Sequence, residues 1–565
     1  MIHRKGRRPA GRGGARDRQW ERLRIPTSRA VRNGQLSKTF NTCLDAPIMH
    51  RFWEIDEMVR LLATILKNQY TASASAVALA CCSKRLEVIV LDPVWEELRG
   101  LDFLMRCLPP DTWKMQDREF VSTTCSGPLV FWGLALTGQQ TFLRCPSNKE
   151  WTRFSRYARR IRTFHLQNDA LDGPGVSLAA FNILSMHPPT PDQYLLPNLR
   201  TIHWDIDLWE LAPFLRLFLN PGLTTVYIEF ADVYPHLYRS ATVSLIPTRN
   251  LAHLQLKYVE DDDLYLGALH DLLDEASETL RSVSLDGQLT VAIIEKLLQL
   301  PNLYHLDVQL PWERISPPAV VFPSLKKLDV GYEEAWSLPH ILKNIPNPTL
   351  QELDAFFTGS SLEYLQMLGS SLADANVERT LTSLKCTSEN IIPLTEAGIR
   401  PLLSFGRLTT LELVVNCSGG QCGVKLDDSI ITDLAKTLPQ LTFLGLGGIP
   451  CDASTSEVTV ASLVALSTNC VDLVFLQLHF NTRDITACGT HANFRARKFT
   501  CKLCTLSVGS QPLPSNHDDI LLLASTILHI FPHVGIHPYT RGGWRQVIEG
   551  IQMFRNAPRI TPLPV

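Results

Sequence analysis

Four residues in the C-terminal part of the chain have the types and spacing of a zinc site. Cys488 and His491 are separated by two residues, and so are Cys501 and Cys504, which gives four ligands that a tetrahedral zinc ion could use. The apolar alternation that begins at Leu503 predicts a strand, and it would direct the thiols of Cys501 and Cys504 to different sides. We therefore expect no metal site in this segment.

Two further pairs have side chains that can bind a metal or form a disulfide. Cys417 and Cys422 flank the tetrapeptide Ser-Gly-Gly-Gln, where we expect a loop with free thiols in a reducing compartment. His533 and His537 are four residues apart, but Gly535 lies between them and disfavours a shared helical face. Neither pair predicts a site.

An acidic run and three tryptophans are candidates for contacts with a partner. Asp261–Asp263 follows a predicted strand, and we expect a solvated loop there, with a Lys/Arg patch of a partner as the alternative. Trp204, Trp209 and Trp336 could anchor a partner, because aromatic side chains dominate many interfaces. For Trp204 at least, its position in a repeat predicts packing in the core instead.

The sequence contains none of the short motifs that mark common enzymes. It has no phosphate-binding GxxxxGK[ST], no GxGxxG behind a predicted strand, no HExxH and no GxSxG. We therefore expect no catalytic residues, no bound metal and no cofactor. A protein that works by binding is the expectation.

Positive charge is concentrated at the N-terminus. Residues 1–40 carry twelve Lys or Arg against Asp17 and Glu21, a net charge of +10, whereas the whole chain carries −2. Arg, Gly and Ser dominate residues 1–48, so we expect a disordered tail, compatible with a targeting signal. Alternatively, the natural chain begins at Met49. The remainder is acidic and has no apolar run of membrane-spanning length, so we expect neither a nucleic-acid nor a membrane partner.

A leucine-spaced segment recurs thirteen times through most of the chain. A weak first copy, Ile161-Phe164-Leu166, precedes twelve clear copies, such as Leu303-Leu306-Val308, at a mean spacing of about 28 residues. This is the spacing of leucine-rich repeats. Each copy predicts a short strand with its apolar residues in the core, and helical stretches such as 291–300 and 430–438 cover the other side.

Helices are predicted ahead of the repeats. The apolar stripe from Ile55 to Leu66 predicts the first helix, and residues 76–86 predict the second. Asp92 as a cap and Pro93 at the first helical position predict the start of a third. A further helix is predicted to begin at Ser147.

These patterns together predict an α/β protein. A short N-terminal helical bundle precedes an irregular leucine-rich-repeat solenoid, or horseshoe, with a helical C-terminal cap. The expected domains are a basic tail at 1–48, the bundle at 49–115, a linker or insertion at 116–150, the solenoid at 151–510 and the cap at 511–565. Within the cap, 515–531 and 544–554 are predicted helices.

The segments MHRFWEIDEMV (49–59), AVALACCSK (76–84) and LDPVW (91–95) resemble F-box proteins. The spacing Trp151-x2-Phe154-x2-Tyr157 and the helix from Trp544 are similar to the same group, most of all to the large families of mushroom-forming (basidiomycete) fungi. The resemblance spans residues 49–560.

F-box proteins are substrate receptors of SCF-type ubiquitin ligases. The resemblance implies that the first helices bind a Skp-type adaptor, and through it a cullin scaffold, while the solenoid binds an unidentified protein substrate in the cytoplasm or nucleus. Carried over by position, the adaptor-binding face comprises Ile55, Met58, Val59, Leu62, Leu79, Cys82, Leu86 and Trp95.

One departure from the F-box pattern leaves a second function open. F-boxes usually open with Leu-Pro, whereas Ile55 is followed here by Asp56. The alternative is a leucine-rich-repeat interaction scaffold without ubiquitin function.

Overall fold

The computed structural model contains two compact units, Met1–Trp95 and Glu96–Val565. None of the helices in the described part of the chain is long and apolar enough to cross a membrane. The described residues are 53–68, 73–116, 139–167, 175–189, 194–206, 209–230, 236–259, 262–287, 289–311, 324–332, 338, 341–342, 349–358, 364–388, 394–415, 424–447, 456–482, 498–508, 513–514, 516–538 and 544–556. The basic tail at 1–48 lies outside them.

Three helices of eight residues or more lie in the described part of the first unit. They are α1 (Asp56–Asn68), α2 (Ser73–Ala80) and α3 (Lys84–Trp95). Asp56 and Glu57 lie in the first turn of α1 and Lys67 in its last turn, where each charge complements the helix dipole. The first helix therefore lies where the apolar stripe predicts it.

The third helix begins earlier than the sequence analysis predicts. Asp92 and Pro93 lie inside α3 and do not start a new helix. Ser83 provides the start instead, because its hydroxyl oxygen accepts from the Leu86 N–H at 3.1 Å. Pro93 lies in the last turn of α3 and lacks the N–H of one helical hydrogen bond, but its ring is buried there.

Fifteen parallel strands form one sheet in the second unit, in the order β1-β4-β5-β6-β7-β8-β9-β10-β11-β12-β14-β16-β17-β18-β19. These strands are β1 (Glu97–Arg99), β4 (Thr163–Gln167), β5 (Thr201–Ile206), β6 (Thr225–Phe230), β7 (His253–Val259), β8 (Ser282–Gly287), β9 (His305–Gln309), β10 (Lys327–Tyr332), β11 (Glu352–Phe357), β12 (Ser383–Ser388), β14 (Thr410–Val415), β16 (Phe443–Leu446), β17 (Phe475–Leu478), β18 (Thr505–Val508) and β19 (Gly535–Pro538). Consecutive repeats therefore form neighbouring strands.

Each of the thirteen predicted repeats supplies one of these strands, in a common register. Leu328 of β10, for example, pairs with Leu306 of β9 on one side and with Leu353 of β11 on the other. All three are at most 2% exposed. The leucines thus form continuous rows in the core, which confirms the alternation predicted from the sequence.

Two strands, one at each end of the sheet, were not predicted. β1 lies within the range 49–115 that the sequence analysis assigns to a helical bundle, and β19 lies within the predicted cap. Leu98 of β1 and Ile536 of β19 occupy the repeat position in register with their neighbours. Neither strand has the leucine three residues earlier that would reveal it.

Helices alternate with many of the strands along the sequence of the second unit. They are α4 (Asp102–Met105), α5 (Asn148–Ala158), α6 (Leu178–Met186), α7 (His236–Ser244), α8 (Asp263–Glu275), α9 (Val291–Leu298), α10 (Tyr364–Asp374), α11 (Glu396–Ile399), α12 (Asp428–Thr437), α13 (Val460–Asn469), α14 (His517–Ile530) and α15 (Arg545–Asn556), with 3₁₀ turns at Trp209–Leu217, Val377–Arg379 and Arg400–Ser404. The predicted helices near 147, 291, 430, 515 and 544 are confirmed.

Side chains just before the strands connect consecutive repeats. The Thr409 hydroxyl donates to the Thr382 carbonyl, and the Thr442 hydroxyl donates to the Thr409 carbonyl, both at 3.0 Å. The Asn198 and Asn302 amides likewise donate to carbonyls of the preceding repeat, at 2.7 and 2.9 Å. These bonds satisfy backbone acceptors between repeats. Side chains that precede the strands thus connect each of these repeats to the one before it.

The predicted insertion is bounded by a strand pair. β2 (Trp113–Gln116) and β3 (Gln139–Phe142) pair in antiparallel orientation, and the residues between them lie outside the described part of the chain. A second short pair, β13 (Leu394–Thr395) and β15 (Val424–Lys425), is parallel.

Candidate interaction surfaces

One face of the fifteen-stranded sheet presents the alternate side chains that do not enter the core, and we call it the strand face. Its middle row includes Asp307, Asp329, Asp354, Lys385 and Glu412, which are register partners on the consecutive strands β9, β10, β11, β12 and β14. Neighbouring strands are about 4.8 Å apart, so these charges lie close together. Four of the five are carboxylates.

The surroundings of these carboxylates shift their pKa values. Burial, with the nearby Asp329 charge contributing, raises the pKa of Asp307 and of Asp354. Burial also raises the pKa of Glu412, although Lys385 acts in the opposite direction. The ionised forms of these groups are therefore disfavoured, and a cation placed on the row would stabilise them.

Asp329 lies at the centre of a hydrogen-bond network. Its Oδ2 accepts from Lys327 Nζ at 2.6 Å and lies 2.9 Å from His305 Nε2, while His305 Nδ1 lies 3.0 Å from the Ser282 hydroxyl. Burial acts to raise the pKa of Asp329, but the hydrogen bonds from His305 and Lys327 outweigh it, and the pKa lies below its usual value. Asp329 is therefore ionised at neutral pH.

Stacked rings occupy two other parts of the strand face. His165, His203 and Tyr227 stack across β4, β5 and β6, with centroids 4.1 and 4.2 Å apart. Burial, reinforced by the His165 charge, lowers the pKa of His203 to about 4, so this imidazole is neutral at pH 7. Phe443 and Phe475 stack at 4.3 Å near the other end. Aromatic and charged groups thus alternate along the sheet.

The first unit presents a second surface, on helix α1. Met58, Leu61 and Ile65 are 39%, 55% and 48% exposed, and their spacing of three and four residues places them along one face. Val59 and Ala63 on the adjacent face are fully buried. Only some of the apolar side chains of this amphipathic helix are therefore buried, and the row of Met58, Leu61 and Ile65 stays exposed.

The structure separates the predicted adaptor-binding residues by exposure. Ile55, Met58 and Cys82 are exposed, whereas Leu62, Leu79, Leu86 and Trp95 are half-buried. Val59 is fully buried and is not accessible to a partner, because its side chain packs inside the first unit.

Leu61, Ile65, Val77 and Val88 are exposed apolar residues of the first unit that the sequence analysis did not select. The helical spacing of Leu61 and Ile65 from Met58 would have been sufficient to find those two.

The structure describes only some of the residues that were considered as metal ligands and rejected. Cys501 is buried and its thiol lies 3.4 Å from the Cys470 carbonyl, whereas Cys504 is exposed, so their side chains diverge as the alternation predicts. Cys488 and His491 lie outside the described residues, as do Cys417 and Cys422. His533 and His537 are exposed, in a turn and in β19.

The acidic run and the tryptophans have separate outcomes. Asp262 is a helix cap, since its side chain accepts from the Leu264 N–H at 2.9 Å, and Asp263 begins α8. A solvated loop was expected there, so this expectation is corrected, while Asp261 lies outside the described residues.

Trp204 is 2% exposed and packs in the core as predicted. Trp336 and the side chain of Trp209 are not described.

Comparisons with known proteins give little beyond this geometry. No protein-family model matches the sequence, and neither does any curated protein. A solved structure described as the crystal structure of the Rad7 and Elc1 complex in yeast aligns with a TM-score of 0.31 and 15% identity, over 72% of this chain and 92% of that chain. A likeness at this level does not bear on function.

Proposed function

We propose that this protein is a substrate receptor of an SCF-type ubiquitin ligase and is non-catalytic in the transfer of ubiquitin. Its first unit is an F-box-like bundle that binds a Skp-type adaptor, and through it a cullin scaffold. Its second unit is a leucine-rich-repeat solenoid that binds a protein substrate. The observation that carries the proposal is the exposed apolar face of α1, which is formed by Met58, Leu61 and Ile65 in a unit separate from the sheet.

The mechanism is tethering. A receptor bound at once to the ligase and to a substrate raises the effective concentration of substrate lysines near activated ubiquitin, and no residue of this chain performs the transfer. From the resemblance to F-box families of mushroom-forming fungi, we propose that the protein works in the cytoplasm or nucleus.

The strand face is the substrate surface in this proposal. Repeat proteins bind partners on extended surfaces built from equivalent positions of successive repeats. The row of Asp307, Asp354 and Glu412 favours a segment rich in Lys or Arg, since each basic side chain would stabilise a carboxylate whose ionised form is disfavoured by burial.

Binding of the full chain to a basidiomycete Skp-type adaptor, measured by biolayer interferometry, tests the receptor role. The Leu61→Asp/Ile65→Asp variant places two charges in the exposed apolar face and should weaken binding on the order of 100-fold or more, as expected for central apolar contacts. Arg60→Asp is the matched control, because it makes the same net charge change of −2 at an exposed position on the other side of the same helix. Equal binding by the double variant and the control would refute the proposed surface.

One observation favours a second function, a leucine-rich-repeat scaffold without ubiquitin activity. Asp56, which replaces the usual Pro, is held by Arg85, whose guanidinium lies 2.5 Å from the carboxylate and 2.6 Å from the Glu54 carbonyl. These two contacts hold the first turn of α1 against Arg85 within the first unit, a structural role for Asp56 that needs no adaptor. If the protein is a scaffold, the Leu61→Asp/Ile65→Asp variant should still bind, in cells, a partner held on the strand face. The ubiquitination of that partner should then be the same with the variant as with the wild type.

A further inference from the structure

Ser282, His305 and Asp329 form a hydrogen-bonded chain across three adjacent strands. Ser282 begins β8 and is the register partner of His305, which begins β9. Asp329 lies on β10, two residues after Lys327, the register partner of His305. The Ser282 oxygen lies 3.0 Å from His305 Nδ1, and His305 Nε2 lies 2.9 Å from Asp329 Oδ2. Both distances are within hydrogen-bond range.

The direction of these hydrogen bonds follows from the groups involved. A carboxylate only accepts, so His305 Nε2 must carry the proton that it shares with Asp329. Nδ1 of the neutral imidazole is then an acceptor, and the Ser282 hydroxyl must donate to it. The serine proton therefore points at a base that is itself oriented by a carboxylate, which is the arrangement that activates a serine nucleophile.

The environment of the three residues supports this role. The side chains of His305 and Asp329 are 22% and 21% exposed, which leaves access for a substrate while limiting competing water. Asp329 is held ionised by Lys327, and its negative charge would stabilise the imidazolium that forms when His305 takes a proton.

We propose that Ser282 is a nucleophile activated by His305 and that the strand face carries an acyl-transfer site for carboxylic esters. The Ser282 oxygen attacks the ester carbonyl carbon while its proton passes to His305 Nδ1. The bond to the alcohol then breaks, His305 returns the proton to the leaving alkoxide, and water hydrolyses the acyl-serine by the reverse proton transfers. Asp329 acts as a positioning residue, because it touches only His305 and Lys327 among these groups.

A second histidine flanks the serine on the neighbouring strand. His253 of β7 is the register partner of Ser282 on the side opposite His305. This site is independent of adaptor binding and adds an activity to the proposed receptor.

The sequence could not show this site as a motif. Its three residues are more than twenty positions apart along the chain and come together only through the register of three repeats. The absence of GxSxG and similar motifs therefore excludes particular hydrolase families and does not exclude a serine nucleophile on this sheet.

The test uses the full chain and a fluorophosphonate probe, in which a serine oxygen displaces fluoride from phosphorus. The wild-type protein should be labelled at Ser282, identified by peptide mass spectrometry, and Ser282→Ala should abolish this adduct. His305→Gln should slow labelling on the order of 100-fold, the usual contribution of a positioned base. Ser284→Ala is the matched control, because the Ser284 hydroxyl lies on the same strand but donates to the Asp307 carboxylate at 2.7 Å instead of to an imidazole.

A conservative replacement separates positioning from structural effects. Asp329→Glu keeps a carboxylate that can accept from His305 Nε2 and should retain part of the labelling rate, whereas Asp329→Asn removes the negative charge and should slow labelling on the order of 100-fold or more. Variants are compared only when their circular dichroism spectra and melting temperatures match the wild type. A folded wild-type protein that is labelled no faster than Ser282→Ala, or equally at Ser284, would overturn the proposal.

Discussion

Truncation of Leu384 to alanine tests the register of the sheet at its centre. Leu384 is 0% exposed, and its strand β12 pairs with β11 and β14 over all six of its residues. Because both neighbours hold the backbone in place, the site cannot collapse around the cavity. We expect a loss of about 3–5 kcal/mol, the upper part of the range for buried Leu→Ala changes.

Hydrogen exchange of the strand amides is the appropriate assay, because the stability of a repeat array is largely local. Exchange in β11, β12 and β14 should accelerate by a factor on the order of 100 or more, while β5 and β18 change little. Thr387→Ala on the same strand is the control, and it should change stability by less than about 0.5 kcal/mol because Thr387 faces the other way. A small effect at Leu384 and a large one at Thr387 would refute the assigned register, since a slip of one residue exchanges the two faces.

Three further results are expected. Gly447→Ala should lower the melting temperature, at a cost of about 1–3 kcal/mol, because Gly447 has φ +113° and a Cβ there would lie 2.7 Å from His479 Cδ2. The hydrogen bond from Arg144, with bonds from Ser147, lowers the pKa of Glu150 from 4.5 to about 2. In thermal melts, the wild type should therefore be more stable than Glu150→Gln above pH 4.5, and this difference should disappear as the pH falls toward 2. The pKa of His203 is lowered from 6.5 in the unfolded chain to about 4 in the fold, so between these pH values only the unfolded chain binds a proton at this residue. The wild type should therefore lose stability as the pH falls from 6.5 to 4, and His203→Phe should remove that part of the pH dependence.

The repeat strands were predictable because their signal is both local and repeated. Leu306, Leu328 and Leu353 stand at equivalent positions of successive copies, and the structure places them in one buried row. β1 and β19 escaped prediction because each is short and has a single apolar repeat residue, Leu98 or Ile536, so only pairing with an existing sheet identifies it as a strand.

The helices show where local patterns compete. Asp92-Pro93 has the chemistry of a helix start, yet Ser83 begins the helix nine residues earlier and burial of the apolar residues between them carries it through Pro93. Tertiary packing therefore prevailed over a local capping pattern.

The two candidate surfaces were predictable to different degrees. The apolar stripe of α1 was visible, but its sequence could not show that Val59 is covered and Leu61 is exposed, because that depends on how the three helices pack. The Ser282, His305 and Asp329 chain needed a repeat alignment, which places all three on the strand face, and then actual side-chain positions to show that they meet.

The most direct test of the central proposal is the affinity of the full chain for a Skp-type adaptor, with and without the Leu61→Asp/Ile65→Asp substitutions. We predict specific binding by the wild type that Arg60→Asp retains and the double variant loses. Absence of binding by a folded, monodisperse wild-type protein, under conditions in which a known F-box protein binds the same adaptor, would contradict the receptor function and favour the scaffold.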